Sequence, residues 1–199
     1  MLKRLLMMAL CLLVANAAWD AWRHRPMARA DGVVVATSPQ QTLIDDPQTL
    51  VVGDFTLTPL ADFALEARVL LLSRYHFGIE SDLAPYDLGV GWQRMSDSAV
   101  LRGLELSQSS RFLHWRWRDA PPIAEAEITR SAANIHLIPA NSALARRIGA
   151  LRPGQIVVLH GKLVEAVRAD GWHWRSSLTR EDGGAGACEL LLVDALQTR

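Results

Sequence analysis

The sequence predicts an α+β domain: a curled, mostly antiparallel sheet or small OB-like barrel with two short helices. Three observations carry that prediction. Apolar and polar residues alternate in stretches such as Phe55–Thr58 and Phe112–Arg118, the two-residue period of a half-buried strand. Turn formers punctuate the chain at Pro121-Pro122, Pro153-Gly154 and Ala169-Asp170-Gly171. Only two stretches open on helix-capping residues, at Ser96 and Asn141.

From the N-terminus, Lys3 and Arg4 precede an apolar run from Leu5 to Ala18, followed by Trp19, Asp20, Trp22, Arg23, His24 and Arg25. Basic residues before an apolar run and tryptophans after it predict a membrane anchor or signal segment over 1–25, with the inner membrane as partner through residues 5–22. The expected localisation is single-pass in the inner membrane, with the globular domain in the periplasm. Ala15-Asn16-Ala17 fits a small-x-small cleavage site, so a periplasmic protein released by signal cleavage is the alternative. Leu10 before Cys11 excludes a lipoprotein signal. Residues 26–48, with Pro26, Gly32, Pro39 and Pro47, read as an extended connector lifting the domain off the membrane. Residues 49–199 read as a single β-rich globular domain.

Within that domain, Phe55–Thr58 and Phe63–Tyr75 read as strands, and Ser96 as the N-cap of a short helix ending near Gly103. Leu104–Leu106 and Phe112–Arg118 read as strands joined by a turn at 107–110. A strand through Ile135–Ile138 stops at Pro139, and Asn141 caps a second helix with Arg146 and Arg147 in its last turns. Gln155–Arg168 reads as a long strand with Gly161 at a bulge, returning through a hairpin to Trp172–Ser176. Cys188–Val193 closes the domain as a buried strand.

FLHWRWR at 112–118 is echoed by GWHWRSS at 171–177. Alternation puts Trp115 and Trp117 on one face of a strand, Trp172 and Trp174 likewise, and predicts all four in the core. The opposite face carries His114, Arg116, Arg118, His173 and Arg175. If both strands belong to one sheet, Arg116 and Arg175 lie near each other as a cationic strip for a phosphate or carboxylate, or else the five residues merely solubilise the surface. The candidate ligand-binding set is therefore Arg116, Arg175, His114, His173, Arg180, Asp182, Asn134 and His136. Arg180 and Asp182 enter through the loop 176–188, whose glycines would let backbone N–H groups approach an anion.

Formal net charge is zero, so no nucleic-acid partner is expected. The chain has no HExxH, paired CxxC, Walker loop or GxSxG, so zinc-protease, phosphate-loop and serine-hydrolase chemistry lacks sequence support. No catalytic residue, cofactor or metal site is predicted, although His114, His136, His160 and His173 all fall on expected strands. Glu80, Asp82 and Asp87 read as an acidic loop. Cys188 invites a thiol-nucleophile reading, with His136 or His173 as base and Asn134 or Asp182 as orienter. As the first residue of an apolar strand it also reads as a small buried hydrophobe.

Arg25-Pro26, Gly89–Trp92 with Met95–Asp97, Asn134–Asn141, and Trp172–Asp182 leading to Gly184–Glu189 together span nearly the whole chain. In these segments it resembles an uncharacterised family of membrane-anchored bacterial envelope proteins with no established activity. The resemblance implies an envelope location and the domain's extent, and transfers no catalytic residue. The expected function is a non-catalytic envelope module tethered to the inner membrane, binding an envelope protein or an anionic ligand. The alternative is an envelope hydrolase using His136 and Cys188 or the Arg180–Asp182 loop.

Overall fold

One strand organises the architecture. In the computed structural model, which describes residues 2–23, 25–179 and 188–199, β3 runs from Phe55 to Arg74. Before it come α1 (Leu2–Arg23), β1 (Gln40–Leu43) and β2 (Leu50–Val52). After it come α2 (Ile79–Leu83), β4 (Tyr86–Gly91), a 3₁₀ turn (Gln93–Ser96), α3 (Ser98–Leu101), β5 (Glu105–Ser109) and β6 (Phe112–Arg116). The chain ends with α4 (Glu125–Ser131), β7 (Ala132–Pro139), α5 (Ser142–Ile148), β8 (Ile156–Arg168), β9 (His173–Arg175) and β10 (Glu189–Thr198).

The main sheet has the order β1-β3-β4-β7-β10-β8-β9, with β2 also on β3; β10 runs parallel to β7 and every other pairing is antiparallel. The α+β class and the curled, mostly antiparallel sheet match the expectation. The curl comes from the length of β3. Its first part, Phe55–Arg68, pairs with β8, and its last part, Arg68–Arg74, pairs with β4. These engagements lie end to end along one strand, so β3 bridges the two edges of the sheet without sealing a closed barrel. The barrel expectation is corrected to a partly open, OB-like curl. Where two short helices were expected in the domain, its described residues hold four, besides α1 and the 3₁₀ turn.

Alternation sorts the side chains into two layers. Leu65, Val69, Leu88, Val90, Ile135, Leu137, Leu159 and Leu191 are buried inside the curl. On the far face Phe55, Leu57, Ile138, Val164, Leu190 and Leu192 form a second cluster, with Trp172 and Trp174 against it. Beneath the β5–β6 hairpin, Met95, Val100, Leu113 and Ile128 form a third, with Trp115 and Trp117 against it. Each such burial removes enough apolar surface to contribute about 1.5–3 kcal/mol.

Several expectations need correction. β6 pairs only with β5, in a separate two-stranded sheet, whereas β9 lies at the end of the main sheet. The two Trp–His–Arg strands therefore do not form one strip. Their four tryptophans are half-buried, and the fully buried tryptophan is Trp92. Asp97, not Ser96, caps α3, accepting from the Ala99 N–H at 2.8 Å. Ser96 Oγ instead accepts from Val34 and Val35. The bulge expected at Gly161 falls on the facing strand, between Val193 and Ala195. Gly161 is still demanded there, since a Cβ would stand 2.0 Å from the Leu192 carbonyl oxygen.

The connector is docked on the domain. Met27 N–H donates to Pro153 at 2.7 Å, Gln93 N–H donates to Val35 at 2.6 Å, and Val35 joins the core. Arg29 donates to the carbonyls of Gly154 and Arg199, tying the segment to the C-terminus.

The expected single-pass inner-membrane anchor is also corrected. Residues 2–23 form a helix with Leu5, Leu12 and Trp19 exposed, yet among the described residues no helix is long and apolar enough to cross a membrane. The apolar run from Leu5 to Ala18 rises roughly 21 Å at 1.5 Å per residue, against a hydrocarbon core of about 30 Å. The transmembrane and signal-anchor assignments therefore lose their support.

Candidate functional site

Register brings polar residues of two central strands together. β4 and β7 pair Asp87 with His136 and Gly89 with Asn134, while Leu88, Ile135 and Leu137 turn into the core. Asp87, Asn134 and His136 thus share the opposite face. That face is covered instead of wet. The β5–β6 hairpin lies over it, so that a Cβ at Gly89 would meet Leu113 Cδ1 at 3.2 Å. Gly89 and Gly91 also explain why β4 escapes a sequence reading, because glycine weakens the strand signal where close approach demands it. At Gly91 a Cβ would stand 2.4 Å from the Met95 carbonyl oxygen.

Asp87 is fully buried and is the hub of the site. Its Oδ1 accepts from His136 Nδ1 at 2.8 Å and from an Arg111 guanidinium N–H at 2.9 Å. Its Oδ2 accepts from Asn134 Nδ2 at 3.2 Å. Three donors around one buried carboxylate offset the large cost of desolvating it. Arg111 comes from the hairpin turn, where Ser110 and Arg111 both have positive φ, 49° and 66°. Neither is glycine, so the turn carries backbone strain, held in place by what Arg111 gains. Its guanidinium also donates to the Ala84 carbonyl and Ser81 Oγ, each at 3.0 Å, and lies 4.2 Å from the Tyr75 ring centroid. Burial, with the charge of Asp87, pushes the Tyr75 hydroxyl above its ordinary pKa.

His136 is 3 % exposed and packs against Trp174 at 4.7 Å between ring centroids. A carboxylate accepting from Nδ1 requires the proton there, which leaves Nε2 as the basic nitrogen. His136 lines a cavity of about 370 Å³ together with Trp174, Arg175, Cys188, Glu80 and the Ser110–Phe112 turn. Cys188 Sγ donates to the Arg111 carbonyl at 3.8 Å, and Asn134 Nδ2 donates to the same oxygen at 2.9 Å. A histidine with a fixed tautomer, a thiol and guanidinium groups around one small cavity can hold an anion and move a proton.

Four residues singled out in the sequence converge here: Asn134, His136, Arg175 and Cys188. Arg175 also bonds Glu165, which accepts from His173 at 2.5 Å as well. The His173 hydrogen bond is the main reason the Glu165 carboxyl sits below its ordinary pKa; burial opposes the shift and the Arg175 charge assists it. His114 and Arg116 lie elsewhere, in a recess with Trp115 and Glu125. The expected closeness of Arg116 to Arg175 gives way to two separate sheets, with Glu165 engaging His173 and Arg175. Arg180 and Asp182 lie outside the described residues. His160 lines a third recess with Asp62 and Asp194, and among the described residues no three His, Cys, Asp or Glu side chains gather as metal ligands.

Sequence reading misses Asp87, taken there as part of an acidic loop, and Arg111. The first had a signal, since Asp87 alternates with Leu88 and Val90 in a strand-like stretch. Arg111 had none, because its role depends on a hairpin turn folding back over another sheet. Comparison of the chain with protein-family models, curated proteins and solved structures finds no match.

Proposed function

We propose that the chain is a binding module for a compact anionic ligand, a carboxylate or phosphate compound, held in the cavity between β7, β9 and the β5–β6 turn. The observation that carries the reading is the buried Asp87–His136 pair facing a cavity that Arg175 and Arg111 also line. The size supports a small molecule, since ligand pockets typically hold about 300–1,000 Å³. In an OB-like curl the corresponding sheet face and its flanking loops form a groove for oligonucleotides or oligosaccharides. The hairpin roofs that face here, which favours a pocket over a groove. Trp174 gives the ligand an apolar wall, and Arg175 contributes charge from a half-exposed side chain.

Titration calorimetry with inorganic phosphate, acetate and succinate tests this. The reading expects saturable binding of at least one. Arg175→Gln should weaken it on the order of tenfold, the effect of losing one charged hydrogen bond. The melting temperature should barely move, because an exposed ion pair such as Arg175–Glu165 contributes about 0–1 kcal/mol. No binding by the wild-type chain, or equal affinity in the variant, would overturn the proposal.

A further inference from the structure

We infer that Cys188 is a nucleophile in this cavity, with His136 as its base and Asp87 as the positioning residue, acting on small acyl esters or thioesters that carry an anionic group. The inference rests on the binding reading above and adds a covalent step to it.

Two independent observations support it. The thiol and the imidazole line the same cavity: β7 and the parallel β10 pair His136 with Leu190, and Cys188 lies two residues before that pairing, just ahead of β10. His136 is almost wholly buried, with Nδ1 committed to Asp87, so the nitrogen left to the cavity is the basic one. A core histidine could form the same bond to a carboxylate. It would not need to line a cavity with a thiol and two arginines.

The chemistry balances without a cofactor. Cys188 Sγ leaves the Arg111 carbonyl, gives its proton to His136 Nε2 and attacks the acyl carbon. The bond from that carbon to the leaving oxygen or sulfur breaks, and His136 returns the proton to the leaving group. Water then attacks the thioester formed on Cys188, again giving a proton to His136, and the acid departs as the thiol is restored. Asp87 stabilises the imidazolium in both halves and fixes which nitrogen is basic. Arg175 holds the anionic end of the substrate. An unactivated cysteine is mostly protonated at neutral pH, so without a base the first step would be slow.

The test uses the full chain carrying Cys11→Ser, so that Cys188 alone reports. Its iodoacetamide alkylation rate is followed against pH, and acetylation of Cys188 by p-nitrophenyl acetate is followed by mass spectrometry. The expected alkylation midpoint lies below the ordinary thiol value of about 8.5. His136→Gln should slow alkylation at pH 7 on the order of tenfold and return the midpoint toward that value. Cys188→Ser should abolish acetylation. An ordinary midpoint in the Cys11→Ser chain overturns the inference without any variant that must fold. So does an unchanged rate in His136→Gln with an unchanged urea midpoint. If binding of phosphate, acetate or succinate persists in either case, the covalent step fails alone; if none of the three binds, the binding reading fails, and an activated thiol would then stand by itself.

Discussion

The strands Phe112–Arg116 and His173–Arg175 both place His-Trp-Arg in successive positions, yet they do different work. In β9, Trp174 lies between His136 and Trp172, at 4.7 and 6.0 Å, while His173 and Arg175 close on Glu165. In β6, Trp115 packs against the third cluster, with Met95, Val100 and Ile128, and among the described residues no ion pair engages Arg116. Alternation fixes the faces identically in both. What each face meets is decided by the partner strand: β8 brings Glu165 opposite Arg175, and β5 brings Glu105 opposite Arg116 without an ion pair. A repeated word in a sequence therefore predicts a shared local geometry and says little about a shared role.

The sharpest way to break the comparison is at Asp87, which Arg111 reaches from the β6 side and the His136–Trp174 contact reaches from the β9 side. Asp87→Ala leaves the partly buried Arg111 guanidinium without its carboxylate and should cost about 3 kcal/mol, the lower end of what removing one partner from a buried ion pair does. Urea unfolding would measure it, and a loss within 1 kcal/mol would mean that the two regions are not joined through this carboxylate.

Next comes the pair of tryptophans. Trp174→Ala should destabilise more than Trp115→Ala by about 1 kcal/mol, the typical contribution of an aromatic pair beyond area burial. Equal losses would make the aromatic contacts around His136 incidental.

The smallest effect separates the acids. Glu165 has a folded pKa below its ordinary value, chiefly through His173, so its contribution to stability is present above the unfolded carboxylate pKa and is lost as pH falls through the folded value. Glu165→Gln should flatten the acid side of the stability profile in that window. Arg116→Gln should leave the whole profile within about 0.5 kcal/mol. A parallel change in both variants would erase the distinction between the strands.

Much of the framework was legible in the sequence for a physical reason: Phe63–Tyr75, Ile135–Ile138 and Gln155–Arg168 alternate or run apolar because they wall a core. Asn141 announced its helix by local chemistry, accepting from the Leu144 N–H at 2.9 Å. β4 was not legible, since its glycines weaken the strand signal and Gly89 answers to Leu113, 24 residues further along. Of the site, His136, Asn134, Arg175 and Cys188 stood out by residue type. Their convergence depends on the β7–β10 parallel pairing, a long-range register that no stretch of sequence encodes by itself.

The strap formed by residues 25–38 has a consequence for how the chain is made. Arg29 waits for the carbonyls of Gly154 and Arg199, 125 and 170 residues further along. The first half of β3 pairs with β8, about a hundred residues downstream. During synthesis the amino-terminal third therefore leaves the ribosome long before its partners exist, with edges that nothing yet covers. Because β10 also joins β7 to β8, residues 189–198 close the curl, and the domain can become native only once that strand has been made and has cleared the ribosome.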